Sequence, residues 1–249
     1  AFEPNVRGES LYARGASDNK GQIASVFAAL EAWSQAGGGL PVNIKMIIEG
    51  EEEVGSPHLE ACIKDRMDLL SADFCMNTDS GILRADQPSL VYGLRGLAYF
   101  ELWVHGPKSD LHSGMFGGAV QNPANVLCDL IAGMHADDGS INLPNFYDLV
   151  RPLDDDERHA LANLPYDDES LRVSAADPPH LFGEIGYSSV ERIGVRPALD
   201  VNGLYSGFIG EGSKTVLPAK AMAKISMRLV PDQNPDDVVR SLDQYLRGH

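Results

Sequence analysis

The sequence predicts an α/β domain built on a mostly parallel sheet, followed by an α+β domain of split βαβ, ferredoxin-like type. Short apolar runs alternate with helical stripes over residues 10–81, the pattern of parallel strands joined by crossover helices. At residue 97 the period changes to two, which marks a long amphipathic strand. Strand, helix, strand, helix then follow up to residue 246, interrupted by an acidic, proline-rich stretch at 136–198.

Residues 1–16 read as loop around Pro4 and Gly8, with a short strand at 10–13. Ile23, Val26, Phe27, Leu30 and Trp33 form a helical stripe over 22–35 that Gly37, Gly38 and Gly39 terminate. Residues 42–48 are short, β-branched and nearly all apolar, as in a strand buried on both faces. A helix is expected over 56–67, with Ser56 as N-cap, Pro57 first, and Leu59, Ile63 and Met67 on one face. The strand expected at 73–77 ends in Thr78-Asp79-Ser80-Gly81. Glu52, Glu53 and Asp79 thus fall at strand carboxyl ends, where open α/β sheets collect ligands.

In the second domain, Leu97, Tyr99, Glu101 and Trp103 alternate against Ala98, Phe100, Leu102 and Val104. A helix over 122–134 starts at Pro123, a strand covers 221–229, and a second helix covers 235–246. A hairpin near 204–209 completes the antiparallel sheet, and 155–164 is the one short helix expected in the insertion. The domain boundary is placed at 93/94, giving domains of residues 1–93 and 94–249.

The 249 residues are 43% hydrophobic, enough for two cores. A net charge of −16 argues against a nucleic-acid or anionic-membrane partner and favours cation binding. Cys62, Cys75 and Cys128 are too scattered for a disulfide framework or a Cys-based zinc site. They read as buried thiols of a reducing, cytoplasmic compartment. No stretch reaches the length of a membrane span, and no basic start with an apolar segment opens the chain.

The apolar run at 42–48 stops in Glu49-Gly50-Glu51-Glu52-Glu53-Val54-Gly55. Adjacent acids repel unless a cation lies among them, so a metal site competes with a solvated acidic turn. Asp18, just before the first helix, reads by itself as a helix cap. A phosphate-binding loop at Gly207-Phe208-Ile209-Gly210-Glu211-Gly212-Ser213-Lys214-Thr215 fails on spacing, since Ser213 separates Gly212 from Lys214. A calcium-binding module lacks the Asp-x-Asp-x-Asp-Gly loop.

Taken together, the motifs are specific. Arg14-Gly15-Ala16-Ser17-Asp18-Asn19-Lys20-Gly21, Glu51-Glu52-Glu53-Val54-Gly55-Ser56 and Asn77-Thr78-Asp79-Ser80-Gly81 resemble those of the carnosinase-like dinuclear zinc peptidases. That family includes cytosolic non-specific dipeptidase, carnosinase, aminoacylase and succinyl-diaminopimelate desuccinylase. Gly93-Leu94-Arg95-Gly96, Asp110-Leu111-His112-Ser113-Gly114, Gly212-Ser213-Lys214-Thr215-Val216-Leu217-Pro218 and Ser226-Met227-Arg228-Leu229-Val230-Pro231 extend the resemblance to the second domain. The dipeptidase branch is the most similar.

The resemblance implies a partial catalytic domain followed by a lid and dimerisation domain. Asp18 would bridge two metal ions, with Glu53 binding one and Asp79 the other. Two zinc ions are expected, with manganese or cobalt as alternatives. Glu52 would be the general base that takes a proton from metal-held water. The Asp18–Asn19 peptide bond is expected to be cis. In the family the histidine at the position of His112 reaches the active site of the partner subunit in a homodimer. Arg228 would pair with a substrate carboxylate, and Thr215 would hold that carboxylate or the scissile carbonyl. The implied reaction is hydrolysis of an amide bond in dipeptides or short peptides, with N-acyl amino acids as the alternative substrates. The family's His-x-Asp motif and its second histidine ligand are expected outside residues 1–249, so this chain by itself is expected to be inactive. His249 reads as a chain-end helix residue. His58, His105, His135, His159 and His180 read as surface or hydrogen-bonded structural residues.

Overall fold

The computed structural model describes residues 2–82, 84, 86–87, 89–165, 167–174 and 177–249. The chain divides into two units, Ala1–Ser89 and Leu90–His249.

In the first unit, β1 (Asn5–Arg7) and β2 (Ser10–Tyr12) form an antiparallel ladder with Val6 opposite Leu11. Helix α1 (Gly21–Gly37) follows and ends where Gly38 turns left-handed at φ 75°, the termination that the glycine run predicts. Two short helices, α2 (Leu59–Asp65) and α3 (Met67–Leu70), come next. Ser56 does not cap them. Its φ is 50° and its hydroxyl donates to Glu49 Oε1 at 3.0 Å, so the helix starts later, with His58 in the capping position.

The strands expected at 42–48 and 73–77 join no ladder among the described residues. Ile44, Ile47, Ile48, Phe74 and Met76 are exposed, and no described residue of this unit is buried. Their apolar character calls for neighbours on both edges and both faces, which the described residues of this unit do not supply.

The second unit begins with β3 (Gly96–His105), β4 (Leu111–His112) and α4 (Ser113–Phe116). Then come α5 (Pro123–Gly133), α6 (Asp155–Ala162), α7 (Asp168–Ser174) and α8 (Ser189–Gly194). The unit closes with β5 (Ala198–Ser206), β6 (Val216–Leu217), β7 (Lys220–Leu229) and α9 (Pro235–Arg247). Strands β3, β7 and β5 form an antiparallel sheet in that order, with β3 at one edge.

The period-two pattern sorts the two faces of this sheet as expected. Ala98 and Leu102 pair with Met227 and Ala223, and all four are buried. Against them pack Leu127, Leu130 and Met134 from the α5 segment and Val238, Leu242 and Tyr245 from α9. Each large apolar side chain so buried contributes about 1.5–3 kcal/mol. Both helices start at Asn-Pro: Asn122 Oδ1 accepts from Ala124 N and Asn234 Oδ1 accepts from Asp236 N, each at 2.9 Å. The Tyr245 hydroxyl donates to Leu130 O at 2.8 Å. Gly133 is needed there, since a Cβ at that position would run into the phenol oxygen.

Three further expectations are corrected. The hairpin near 204–209 lies at the end of β5, which begins at Ala198 because Leu199 and Val201 already face the core. Among the described residues the insertion carries three helices where one is expected. Helix α8 has a full capping box between Ser188 and Glu191, a Ser-x-x-Glu signal present in the sequence. Finally, Cys62, Cys75 and Cys128 are exposed. Cys128 sits beside the buried α5 stripe of Pro123, Leu127 and Leu130, on the helix's outer side.

Candidate active site

The acids at 49–53 divide by what their carboxylates touch. Glu49 accepts from Ser56 Oγ at 3.0 Å, and Glu51 contacts His58 Nδ1 at 2.9 Å. Glu53 Oε1 accepts from Arg14 Nη2 at 2.6 Å. Glu52, in the short turn Glu52–Val54, has no side-chain hydrogen bond among the described residues.

Asp18 lies in the turn Ala16–Lys20 that leads into α1, and its peptide bond to Asn19 is cis, as expected. It does not cap the helix: Lys20 occupies the cap position, without a side-chain bond. At Asp79, Asn77 Oδ1 accepts from the Asp79 backbone N–H at 2.8 Å and shapes the turn.

Two residues that the sequence reading missed tie these loops together. Gln22 Nε2 donates to Ser17 O at 2.8 Å and to Ser80 O at 3.2 Å, joining the neighbours of Asp18 and Asp79. Arg14 joins the Asp18 loop to Glu53, and that hydrogen bond raises the arginine's pKa further. No local signal identifies either partner, since the pairs lie 39 and 58 residues apart.

Asp18, Glu53 and Asp79 are hard oxygen donors suited to divalent cations. Among the described residues they are not gathered into a three-ligand cluster, and Glu53 is paired with Arg14. Their donor chemistry suits a divalent cation, and Gln22 and Arg14 tie their loops together.

In the second unit, the ladder between β4 and β6 sets His112 opposite Val216. Ser113 N donates to Thr215 O at 3.0 Å, and His112 Nε2 lies 3.1 Å from Thr215 Oγ1. The Gly114 N–H points at His112 Nδ1 at 3.1 Å. A backbone N–H can only donate, so Nδ1 is the acceptor and the neutral ring carries its hydrogen on Nε2. Asp110, from the same motif, accepts from Ala219 N at 2.8 Å and ties this loop to the start of β7.

Arg228 is exposed on the outer face of β7, paired in the ladders with Leu97 and Ala198. Among the described residues it has no carboxylate at salt-bridge distance. The sequence-predicted residues therefore fall into two groups: the carboxylates with their clamps in the first unit, and His112, Thr215 and Arg228 in the second.

Residues 92–249 match the family model described as "Peptidase dimerisation domain". The chain is 34% identical to the Cys-Gly metallodipeptidase dug1 of Schizosaccharomyces pombe, over 95% of this chain and 50% of that protein. In structure it is similar to an M20 family metallo-carboxypeptidase from Sulfolobus solfataricus, with a TM-score of 0.81, 34% identity, and coverage of 98% of this chain and 55% of the other. Human carnosine dipeptidase 1 gives a TM-score of 0.75 at 32% identity, covering 98% of this chain and 52% of the other. The chain spans about half the length of the curated relatives it matches.

Proposed function

This chain belongs to the M20 peptidase family, and from that premise we propose that the whole protein is a metallodipeptidase that hydrolyses the amide bond of dipeptides or short peptides. The observation that carries the reading is Glu52: of the four acids at 49–53, its carboxylate is the one left free, beside a ligand candidate on a clamped turn.

Asp18, Glu53 and Asp79 would hold the metals, two zinc ions with manganese or cobalt as alternatives. When bound, the metals acidify water and polarise the scissile carbonyl. Glu52 takes the proton from the attacking water and delivers it to the leaving amine. His112 Nε2–H is the donor for negative charge growing on the carbonyl oxygen, and Thr215 holds the imidazole in that tautomer until substrate arrives. Arg228 receives the substrate carboxylate through its planar fork.

Residues 1–93 carry the metal-binding part, and residues 94–249 form the lid through which two subunits pair. His112 of one subunit serves the metal site of its partner. A cytoplasmic location is supported by three free cysteines without a disulfide. An N-acyl amino acid hydrolase is disfavoured, since two of the relatives named above, dug1 and human carnosine dipeptidase 1, are dipeptidases.

The test is an assay of the full-length protein on alanyl-alanine and N-acetyl-alanine, with zinc supplied and with zinc chelated. Zinc-dependent cleavage of the dipeptide is expected, with little of the acyl amino acid. Preference for N-acetyl-alanine, or cleavage that chelation leaves untouched, would overturn the reading.

A further inference from the structure

Arg228 is flanked in the sheet by Leu97 of β3 and Ala198 of β5. Arg95 lies two residues before Leu97, and Arg196 lies two residues before Ala198. The half-buried Arg95 side chain reaches across this end of the sheet, where Nη1 donates to Arg192 O at 3.4 Å and to Arg196 O at 3.3 Å. Arg95 and Arg196 both lie just outside the strands, each two residues before the residue that flanks Arg228. Nε and Nη2 of Arg95 have no acceptor among the described residues.

Arg95 and Arg228 thus start from nearby register positions at this end of the sheet, and Asp200 stands opposite Ser226, two residues along β7 from Arg228, while Glu184 is engaged by Arg196. Burial lowers the pKa of Arg95 first and the charge of Arg228 lowers it further, while Asp200 works the other way. Held like charges with unused N–H donors are an arrangement that a bound anion stabilises.

We propose that Arg95 is a second binding residue for the substrate's terminal carboxylate, forming a two-arginine clamp with Arg228. This deepens the dipeptidase reading and rests on it for the identity of the ligand. The carbonyls of Arg192 and Arg196 fix Nη1 and leave the Nε–Nη2 edge for the carboxylate. Specificity follows, because a peptide amide in place of the acid offers the clamp no charge.

The experiment measures binding of alanyl-alanine and alanyl-alanine amide to the full-length protein carrying Glu52→Gln, which suppresses turnover. Adding Arg95→Gln should weaken binding of the acid about tenfold or more and leave the amide within about twofold. Arg95→Lys keeps the charge and should keep part of the preference, which guards against misfolding of the Gln variant. Equal losses for acid and amide would mean that Arg95 only caps the end of α8, and the clamp would be refuted. Unchanged acid binding, or no acid preference with Arg95 in place, would refute it too. If the protein with Glu52 intact cleaves neither peptide while the Arg95-dependent acid preference persists, the hydrolase reading falls and the clamp stands.

Discussion

His112 Nε2 and Thr215 Oγ1 lie 3.1 Å apart although 103 residues separate them in the chain. The ladder between β4 and β6 makes the meeting possible, and Gly114 makes room for it. A Cβ at Gly114 would lie 2.9 Å from His112 Cε1 and 3.1 Å from Nδ1.

Gly114→Ala and Thr215→Val should therefore damage the same function. Each disturbs the imidazole without touching the carboxylates, so kcat of the full-length protein should fall by about tenfold or more. Zinc content and far-UV circular dichroism should match the parent. A Thr215→Val enzyme with unchanged kcat would remove this hydroxyl from the mechanism.

Glu52 and Glu53 should separate cleanly. Glu52→Gln deletes a base and no ligand, so metal content should persist while the rate drops by about 10² to 10⁴. Glu53→Ala should lose metal as well as activity. Elemental analysis of purified full-length variants decides it: an emptied site in Glu52→Gln would reverse the two roles.

What was legible in the sequence depended on whether the signal was local. Alternation along 97–105 predicts a two-faced strand, and Ala98 and Leu102 are on its buried side; prolines at 123 and 235 mark the starts of both long helices of the second unit. Residues 42–48 show the opposite case. Apolar content predicts that a segment is buried, but a strand also needs ladder partners, and composition does not name them. Ser56 looked like a cap from its neighbours, yet its hydroxyl turned back to Glu49. The carboxylates were found by motif, whereas Arg14 and Gln22, which clamp their loops, act over distances that no pattern along the chain encodes.

Tyr245 gives a stability prediction with a defined pH dependence. Its hydroxyl bonds Leu130 O at 2.8 Å in the core, so Tyr245→Phe should cost about 1 kcal/mol by urea denaturation. Burial raises the phenol's pKa in the folded state. The unfolded tyrosine therefore ionises first, near its ordinary value of about 10. Stability from this group is complete below that pH and is lost as pH rises through the folded value. Tyr245→Phe should remove that part of the alkaline decline, and an identical slope in both proteins would contradict the assignment.

Subunit pairing can be tested through His112. Strand β3 lies at the edge of the sheet, bonded on one side to β7, and its outer face carries Leu97, Tyr99 and Trp103, all exposed. An edge with unpaired backbone groups and exposed aromatic side chains favours association with a second copy, and a two-fold axis would bury the same surface twice. The loop that carries His112 belongs to the same unit as this edge. If His112 serves the partner's metal site, a His112→Ala subunit and a Glu52→Gln subunit are each inactive as homodimers. In a heterodimer, one of the two sites combines an intact Glu52 with the His112 of the other chain. Mixing the two full-length variants and allowing exchange should therefore restore activity. At full exchange half the dimers are mixed, each with one working site of two, so the recovered rate should approach about a quarter of the parent's if sites act independently. Exchange can be followed by mass spectrometry of differently tagged subunits. Verified heterodimers without activity would place the action of His112 within its own subunit.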